Sequence, residues 1–376
     1  MSKLDELIAE LCPDGVEYVS IGNVVNYEQP SKYIVKNTDY SDEFSIPVLT
    51  AGQSFILGYT NEIDNIYKAS KENPVIIFDD FTGAFKWVDF PFKVKSSAIK
   101  MLTANSDIAT LRYIYHVMGN IGYSSDEHKR LWISIYSAMK IPVPPLPVQQ
   151  EIVRILDSFT ELTTQLTAEI EARKKQYEYY RDWLLSQEEL NKLCPDGVEY
   201  KELSHVLKIK NGRDYKDFAD GEIPVYGSGG VMTYIDRCVY DKPSVLIPRK
   251  GSIGNLYYVD TPFWTVDTIF YTEINTCVIE PKFVYYYLQT QHLERLNTAG
   301  GVPSLTQAVL NKVVIPVPPL PVQQEIVRIL DNFTELTAEL TAELEARQKQ
   351  YEYYRDKLLT FPARSKDVKE SKEATA

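Results

Sequence analysis

Histidine and cysteine offer the widest range of chemistry in this chain, and their spacing matches no familiar metal site. No Cys-x-x-Cys pair occurs, so we interpret the cysteines as reduced thiols. The histidines share no ligand spacing with one another or with the cysteines. We therefore predict no metal site and expect each histidine on the surface or in the core. The residues concerned are His116, His128, His205, His292, Cys12, Cys194, Cys238 and Cys277.

Enzyme motifs are also missing from the sequence. The chain has no Gly-x-x-x-x-Gly-Lys-Ser/Thr phosphate loop and no Asn/Asp-Pro-Pro-aromatic tetrapeptide of the kind that adenine amino-methyltransferases use. Pro195-Asp196-x-x-Glu199-x-Lys201 is similar to a nuclease motif, but its carboxylates are too close in sequence to come from two strands. The copy of this phrase that begins at Pro13 has Val19 in place of Lys201. We predict no catalytic residue in this chain and no cofactor bound by it.

Two short cationic segments have the composition of nucleic-acid-binding loops. Residues 127–132 combine cations with a tryptophan, and residues 248–254 combine cations with glycines. Arginine pairs with guanine through two hydrogen bonds, lysine neutralises phosphate, and glycine lets backbone N–H groups approach the phosphates. A solvated surface loop is the alternative for each segment. The residues that we predict to contact DNA are Lys86, Lys93, Lys95, His128, Lys129, Arg130, Lys210, Arg213, Arg249, Lys250 and Ser252.

The formal net charge of −12 opposes DNA binding only when the chain is counted as a whole. Residues 19–140 carry 12 basic and 13 acidic residues, and residues 201–314 carry 12 of each. The acidic excess lies in 1–18, 147–192 and 321–359. We expect DNA contacts from the near-neutral regions only.

Composition defines the broad class of the protein. Its 376 residues are 44% apolar and 24% charged, which is ordinary for globular domains. The N-terminus has no basic region followed by an apolar one, and no run of 18 apolar residues occurs. We expect a cytoplasmic protein that does not span a membrane.

An internal duplication organises the chain. Residues 141–157 recur without change at 315–331, and the similarity extends over 45 aligned positions with six differences. A second phrase, Leu-Cys-Pro-Asp-Gly-Val-Glu-Tyr, occurs at 11–18 and at 193–200. Two unlike segments fill the intervals. Near-identical connectors between divergent modules indicate that the modules do different versions of one job.

The repeated segments predict long helices. Proline suits the first helical turn at 147 and 321, and apolar or aromatic residues follow in steps of three and four. A coiled coil between the two copies and burial against the chain's own core both explain this stripe; we favour the coiled coil. The second module starts where the first helix ends and finishes where the second begins, so the helices should run antiparallel.

These features predict an α+β fold with pseudo-twofold symmetry and a circular-permutation-like arrangement. Short strand signals occur in both modules, and Ile46-Pro-Val48 is faintly equivalent to Ile223-Pro-Val225, as Gly83 is to Gly251 or Gly254. Two mixed α/β domains are separated by two long antiparallel coiled-coil helices, with a module at each end. The predicted boundaries are an N-terminal segment at 1–18 that completes the second helical region, domains at 19–146 and 193–320, helical spacers at 147–192 and 321–359, and a flexible tail at 360–376.

The end of each long helix is rich in tyrosine. Three tyrosines in four positions are spread around the helix and cannot all face one partner helix. Packing within the chain is one explanation, and a partner subunit is the other, since interfaces favour aromatics and arginine. The residues that we predict to bind a partner are Tyr177, Tyr180, Arg181, Tyr351, Tyr354 and Arg355.

The two repeated phrases carry a resemblance to a known family. Ile-Pro-Val-Pro-Pro-Leu-Pro-Val-Gln-Gln-Glu-Ile-Val and Leu-Cys-Pro-Asp-Gly-Val-Glu-Tyr resemble those of specificity (S) subunits of type I restriction-modification systems, which serve host defence. The resemblance covers essentially the whole chain. It implies two target-recognition domains that each read half of a bipartite, asymmetric DNA site, with the helices setting the spacer between the halves.

The same resemblance implies partners and further site residues. Two modification (methyltransferase) subunits would dock on the helices, and restriction (motor and nuclease) subunits would join through them. S-adenosylmethionine, ATP and magnesium would then be bound by these partners. The resemblance also implies DNA-contacting loops at 125–133 and 300–307. The second loop has no cation, and its candidates are Ser304, Thr306 and Gln307.

Two alternatives share this architecture. A specificity partner of a fused nuclease-methyltransferase would differ only in the subunit that co-purifies with it. A coiled-coil adaptor whose end domains bind proteins would show no dependence on DNA in any complex.

Overall fold

The computed structural model describes residues 2–52, 54–121, 130–296 and 304–364. The chain divides into two compact units, one formed by Met1–Gln165 with Leu344–Ala376 and the other by Leu166–Glu343. Each unit contains one mixed α/β domain and one half of each long helix. The units divide within the helices, whereas the sequence boundaries lie at helix ends, because each helix half packs into the core of the domain beside it.

The first unit contains short helices and short strands before its long helix. In chain order these are α1 Lys3–Leu11, β1 Glu17–Ser20, α2 Ile21–Val24, β2 Val25–Glu28, β3 Ile46–Leu49, β4 Ile56–Thr60, β5 Val75–Asp79, β6 Phe85–Val88, β7 Lys93–Val94, β8 Ile99–Ala104, α3 Leu111–Asn120, α4 Leu131–Ser134, β9 Lys140–Val143 and the long helix α5 Leu146–Leu184.

The second unit repeats this order. Its elements are α6 Gln187–Leu193, β10 Glu199–Glu202, α7 Leu203–Val206, β11 Leu207–Asn211, β12 Asp220–Gly227, β13 Gly230–Ile235, β14 Ser244–Pro248, β15 Tyr257–Val259, β16 Trp264–Thr265, β17 Ile269–Ile274, α8 Pro281–Thr290, α9 Gln307–Leu310, β18 Val314–Val317 and the long helix α10 Leu320–Leu358.

The sheets of the two domains correspond strand for strand. The first domain has strand orders β2-β8-β5-β6, β4-β3-β7 and β1-β9, and the second has β11-β17-β14-β15, β13-β12-β16 and β10-β18. β3 pairs parallel with β7, as β12 does with β16. The predicted equivalence of Ile46-Pro-Val48 and Ile223-Pro-Val225 is confirmed, since these segments lie in β3 and β12. Gly83 and Gly251 both lie in the turn after the equivalent strand, with φ of +72° and +74°.

The two long helices pack antiparallel within each unit. In the first unit the Phe159 ring of α5 stacks on Tyr354 of α10, with 5.5 Å between ring centres. In the second unit the roles are exchanged, and Tyr180 of α5 stacks on Phe333 of α10 at 5.3 Å. The predicted fold class is confirmed. Both explanations of the apolar stripe hold, because the first turns of each helix are buried in the core of a domain and later turns contact the other helix.

The N-terminal segment packs against the residues that follow α10. The backbone N–H of Val16 donates to the Pro362 carbonyl, and the Arg364 N–H donates to the Val16 carbonyl. Tyr18 Oη donates to the Phe361 carbonyl at 2.8 Å. Gly15, in the first Cys-Pro-Asp-Gly turn, has a φ of +88° and lies against the Pro362 backbone. The two ends of the described chain therefore complete one core.

Candidate nucleic-acid interface

A cluster of polar side chains lies at one end of the β11-β17-β14-β15 sheet. Arg249 follows the last residue of β14, and its Nη1 lies 3.4 Å from Oδ1 of Asn211 at the end of β11. The neighbouring residue, Lys250, forms a β-bridge with Ser304, and its Nζ lies 3.5 Å from Asp267 Oδ2. The structure thus brings together three predicted DNA contacts, Arg249, Lys250 and Ser304. Asn211 joins them without having been predicted.

The other predicted residues of the second domain are more dispersed. Lys210 Nζ lies 3.3 Å from Glu273 Oε1. Arg213 and Ser252 are exposed. Thr306 caps α9 by accepting from the Val309 N–H, and Gln307 Nε2 donates to the Ile209 carbonyl. Thr306 and Gln307 therefore have structural roles beside the predicted contact with DNA, which stays a prediction for all five residues.

The predicted cations of the first domain fall into three groups. Lys86 is half-buried on β6, and Lys95 and Arg130 are exposed. His128 and Lys129 lie outside the described residues. Each of these five remains a prediction.

Lys93 is buried, whereas we had predicted an exposed loop residue. Sequence reasoning placed it among loop cations, but it lies on β7 with a fully buried side chain. Its Nζ donates to the Asp64 carbonyl at 2.9 Å and lies 3.0 Å from Glu62 Oε2. Burial with an internal carboxylate leaves this ammonium no surface for a phosphate in the described structure. A strand of two residues is too short to carry a sequence pattern that would predict this burial.

One identical glutamine holds each domain to its long helix. Gln149 is fully buried; its Oε1 accepts from the Thr110 N–H at 2.9 Å, at the start of α3. Its Nε2 donates to the Ile108 and Pro144 carbonyls. Gln323 makes the equivalent bonds in the second unit, accepting from the Glu280 N–H at 2.7 Å and donating to the carbonyls of Val278 and Pro318.

An identical aspartate on each long helix meets different partners. Asp157 Oδ1 lies 2.8 Å from both His116 Nε2 and Arg112 Nε of α3. Burial raises the pKa of Asp157, but the hydrogen bonds from His116 and Arg112 outweigh it, and the net pKa lies below the usual value. Asp331 instead accepts from Lys282 and Tyr286 of α8. One connector therefore fits two domains of different sequence.

The predicted partner-binding residues are largely engaged within their own units. Tyr180 and Tyr354 form the interhelical stacks, and Tyr177 Oη donates to Gln289 Oε1 at 2.7 Å. Tyr351 packs on the first domain's core. Arg181 lies over the Tyr177 ring and Arg355 over the Tyr351 ring. These contacts leave the prediction of partner binding untested.

The most exposed aromatics of the long helices are residues that sequence reasoning did not select. Tyr179 is 66% exposed and Tyr353 is 61% exposed. Trp183, at 41%, packs edge-on against Tyr180. The helical period assigns these residues to the outer face once the stacked positions are known.

Potential metal ligands are dispersed over the described part of the chain. No cluster of three or more His, Cys, Asp or Glu side chains within it is arranged to hold a metal ion. Across the same residues, none of the helices combines the length and the apolar character needed to cross a bilayer.

Two α/β domains with one strand order, each packed on a near-identical long helix, define a class of proteins built from a duplicated domain and helix. Residues 13–173 and 195–347 match the family described as the type I restriction modification DNA specificity domain. The chain belongs to this family.

Two relatives match along nearly their whole length. The chain is 41% identical to the EcoR124I/EcoR124II type I restriction enzyme specificity subunit of Escherichia coli, covering 96% of this chain and 98% of that protein. It is 30% identical to a putative type I restriction enzyme specificity subunit of Haemophilus influenzae, with 92% and 96% covered. In fold it is similar to the crystal structure of a type I restriction-modification S subunit from M. genitalium, with a TM-score of 0.68, 18% identity and coverage of 92% and 96%.

Proposed function

We propose that this protein is the DNA-recognition subunit of a type I restriction-modification complex, in which each α/β domain reads one half of a bipartite, asymmetric site. The observation that carries the proposal is the contrast within the duplication. The connectors are nearly identical and their buried glutamines are the same, while the polar groups at equivalent sheet ends differ: Arg249 contacts Asn211 in the second domain, and Asp80 pairs with Lys100 in the first. Two domains with one skeleton and different polar surfaces are suited to reading two different half-sites.

The long helices have a second role in this proposal. They fix the spacing of the half-sites and dock two modification subunits, and restriction subunits join through these. Exposed aromatics such as Tyr179 and Tyr353 are suited to such an interface. We place S-adenosylmethionine, ATP and magnesium on the partner subunits and assign no catalytic step to this chain. Such a complex acts on cytoplasmic DNA.

Co-expression of the full chain with modification subunits tests the proposal. We expect a complex of two modification subunits and one copy of this chain, by mass measurement, that methylates a motif split by a fixed spacer. The chain alone, mixed with DNA and labelled S-adenosylmethionine, should transfer no methyl group. A chain that stays alone, or a complex that methylates nothing, would favour the protein-binding adaptor.

A further inference from the structure

The position directly after β5 and the position directly after β14 are equivalent in the two domains. The Asp80 carbonyl accepts from the Leu131 N–H, and the Arg249 carbonyl accepts from the Leu305 N–H. Each residue also donates its backbone N–H to the carbonyl just before the neighbouring strand. The acceptor is Ala98, before β8, in the first domain and Thr268, before β17, in the second. The two side chains therefore start from the same point of the same skeleton.

In the first domain this position is closed by an internal ion pair. Asp80 is 1% exposed and Lys100, on β8, is fully buried. Lys100 Nζ lies 3.1 Å from Asp80 Oδ2 and donates to Gln29 Oε1. Asp80 Oδ1 accepts from the Trp132 N–H at 2.8 Å. Each charge is matched within the domain, so the position offers DNA neither a cation nor an open acceptor.

In the second domain the same three places hold different chemistry. Phe270 takes the place of the buried lysine, because it pairs with Ile247 of β14 as Lys100 pairs with Phe78 of β5. Asn211, which pairs with Phe270, takes the place of Gln29, the residue that follows β2. The guanidinium carbon of Arg249 lies 5.1 Å from the Phe270 ring centre. Among the described residues, Asn211 is the side-chain acceptor of this guanidinium, and the buried Nε has no partner. The Phe270 ring and the Asn211 amide thus hold Arg249, and most of its N–H donors have no acceptor among the described residues.

We propose that this position determines specificity, and that Arg249 reads the edge of a guanine in one half of the target. This inference rests on the function proposed above. An arginine held by a ring and by a single neutral acceptor is pre-oriented at little cost, and guanine O6 and N7 match two of its donors. The first domain reads its half-site with other residues, because Asp80 and Lys100 satisfy one another.

The test uses the full chain in complex with modification subunits, carrying Arg249→Gln or Arg249→Lys, with the methylated motif mapped across a genome. We expect one guanine position in one half of the motif to become degenerate, while the other half stays unchanged. Arg237→Gln is the matched control, since Arg237 also lies over a ring of the second domain, that of Phe218. This control should leave the motif as in the unsubstituted complex.

If a variant no longer methylates DNA, its binding to a series of duplexes with single base-pair substitutions is measured instead. The unsubstituted complex should discriminate against a change of the critical guanine by roughly 5- to 160-fold, and the Arg249 variants should lose that preference. An unchanged motif in both variants, or a uniform loss of affinity for every duplex, would overturn the inference and leave the proposed function intact. Absence of any split motif for the unsubstituted complex would instead contradict the proposed function.

Discussion

Gln149 and Gln323 make the same set of three hydrogen bonds, each fastening the start of a domain helix and two backbone carbonyls to a long helix. Both side chains are fully buried. Because the bonds go to backbone groups, they are independent of the sequence of either domain. The two glutamines therefore attach domains of different sequence to the long helices in the same way.

Replacing either glutamine by methionine should destabilise its unit. The substitution keeps the volume but leaves a buried N–H and two carbonyls without partners, at about 1 kcal/mol each. We expect Gln149→Met and Gln323→Met each to lower the free energy of unfolding by about 3 kcal/mol, measured by thermal and urea denaturation. Gln150→Met, at an exposed neighbouring position, is the control. Equal stabilities for Gln149→Met and Gln150→Met would contradict the role of these bonds.

Acid should weaken the contact between α1 and α5. The hydrogen bond from Arg154 lowers the pKa of Glu151 to about 2 against opposing burial, and Lys3 adds a second bond. A carboxylate with a depressed pKa stabilises the fold above its unfolded pKa and loses that contribution as the pH falls through the folded value. We expect Glu151→Gln to melt about 3 °C below the unsubstituted protein at pH 7, and this gap to close between about pH 4.5 and pH 2.

Glu325, the equivalent residue of the second unit, provides the comparison. It pairs with Arg328 at the surface, with its side chain 57% exposed. Exposed pairs contribute little, so Glu325→Gln should change the melting temperature slightly at either pH. A gap for Glu151→Gln that is independent of pH would show that the carboxylate charge is not what stabilises the contact.

The two glycines of the repeated Cys-Pro-Asp-Gly phrase should differ in their tolerance of alanine. Both have a positive φ, which alone costs alanine about 1–2 kcal/mol. A Cβ at Gly15 would also lie 2.4 Å from the Pro362 carbonyl oxygen, whereas a Cβ at Gly197 would meet nothing within 4 Å. Chemical denaturation should show a loss of about 1 kcal/mol for Gly197→Ala and of at least 3 kcal/mol for Gly15→Ala. Equal losses would mean that the contact with Pro362 adds no constraint.

Removing the ammonium of Lys100 should be costly. Lys100→Met leaves the Asp80 carboxylate buried without its counter-charge, a change worth roughly 3–5 kcal/mol. The double variant Asp80→Asn with Lys100→Met should recover much of this loss in denaturation experiments, because no charge then remains buried. Lys71→Met, at an exposed site, is the control. Additive effects of the two single substitutions would contradict a direct coupling.

Substituting the exposed tyrosines of the long helices should affect assembly, and substituting the stacked ones should affect stability. Tyr179→Ala and Tyr353→Ala remove rings that are more than half exposed, and we expect melting to change little while affinity for modification subunits falls by roughly tenfold. Tyr180→Ala and Tyr354→Ala remove interhelical stacks and should instead cost about 2 kcal/mol of stability. Binding measured by titration calorimetry checks the first pair. Unchanged affinity there would place the docking surface elsewhere.

The sequence was a good guide wherever repetition or periodicity carried the information. The duplication and the order of its copies along the chain predicted the antiparallel helices, and short apolar runs bounded by turn residues identified strands such as β5 and β14. Lys93 and Asp80 show where this guidance ends. Their burial depends on strands and loops distant in sequence, and a charged residue in a near-neutral segment looks the same in sequence whether its partner is solvent or a buried carboxylate. Gln149 was visible in the repeated phrase, but its hydrogen bonds depend on the tertiary position of α3.

The aspartates of the two connectors have a consequence for how this protein can change. Asp157 meets arginine and histidine one helical turn apart, and Asp331 meets lysine and tyrosine at the same two places. Besides apolar packing against the helix, a foreign domain would need a basic residue and a hydrogen-bond donor at those two places, since the glutamine contacts use its backbone alone. We therefore expect recombination between the near-identical connectors to exchange one domain for another, and so to change the target, while the sequence of the long helices stays the same.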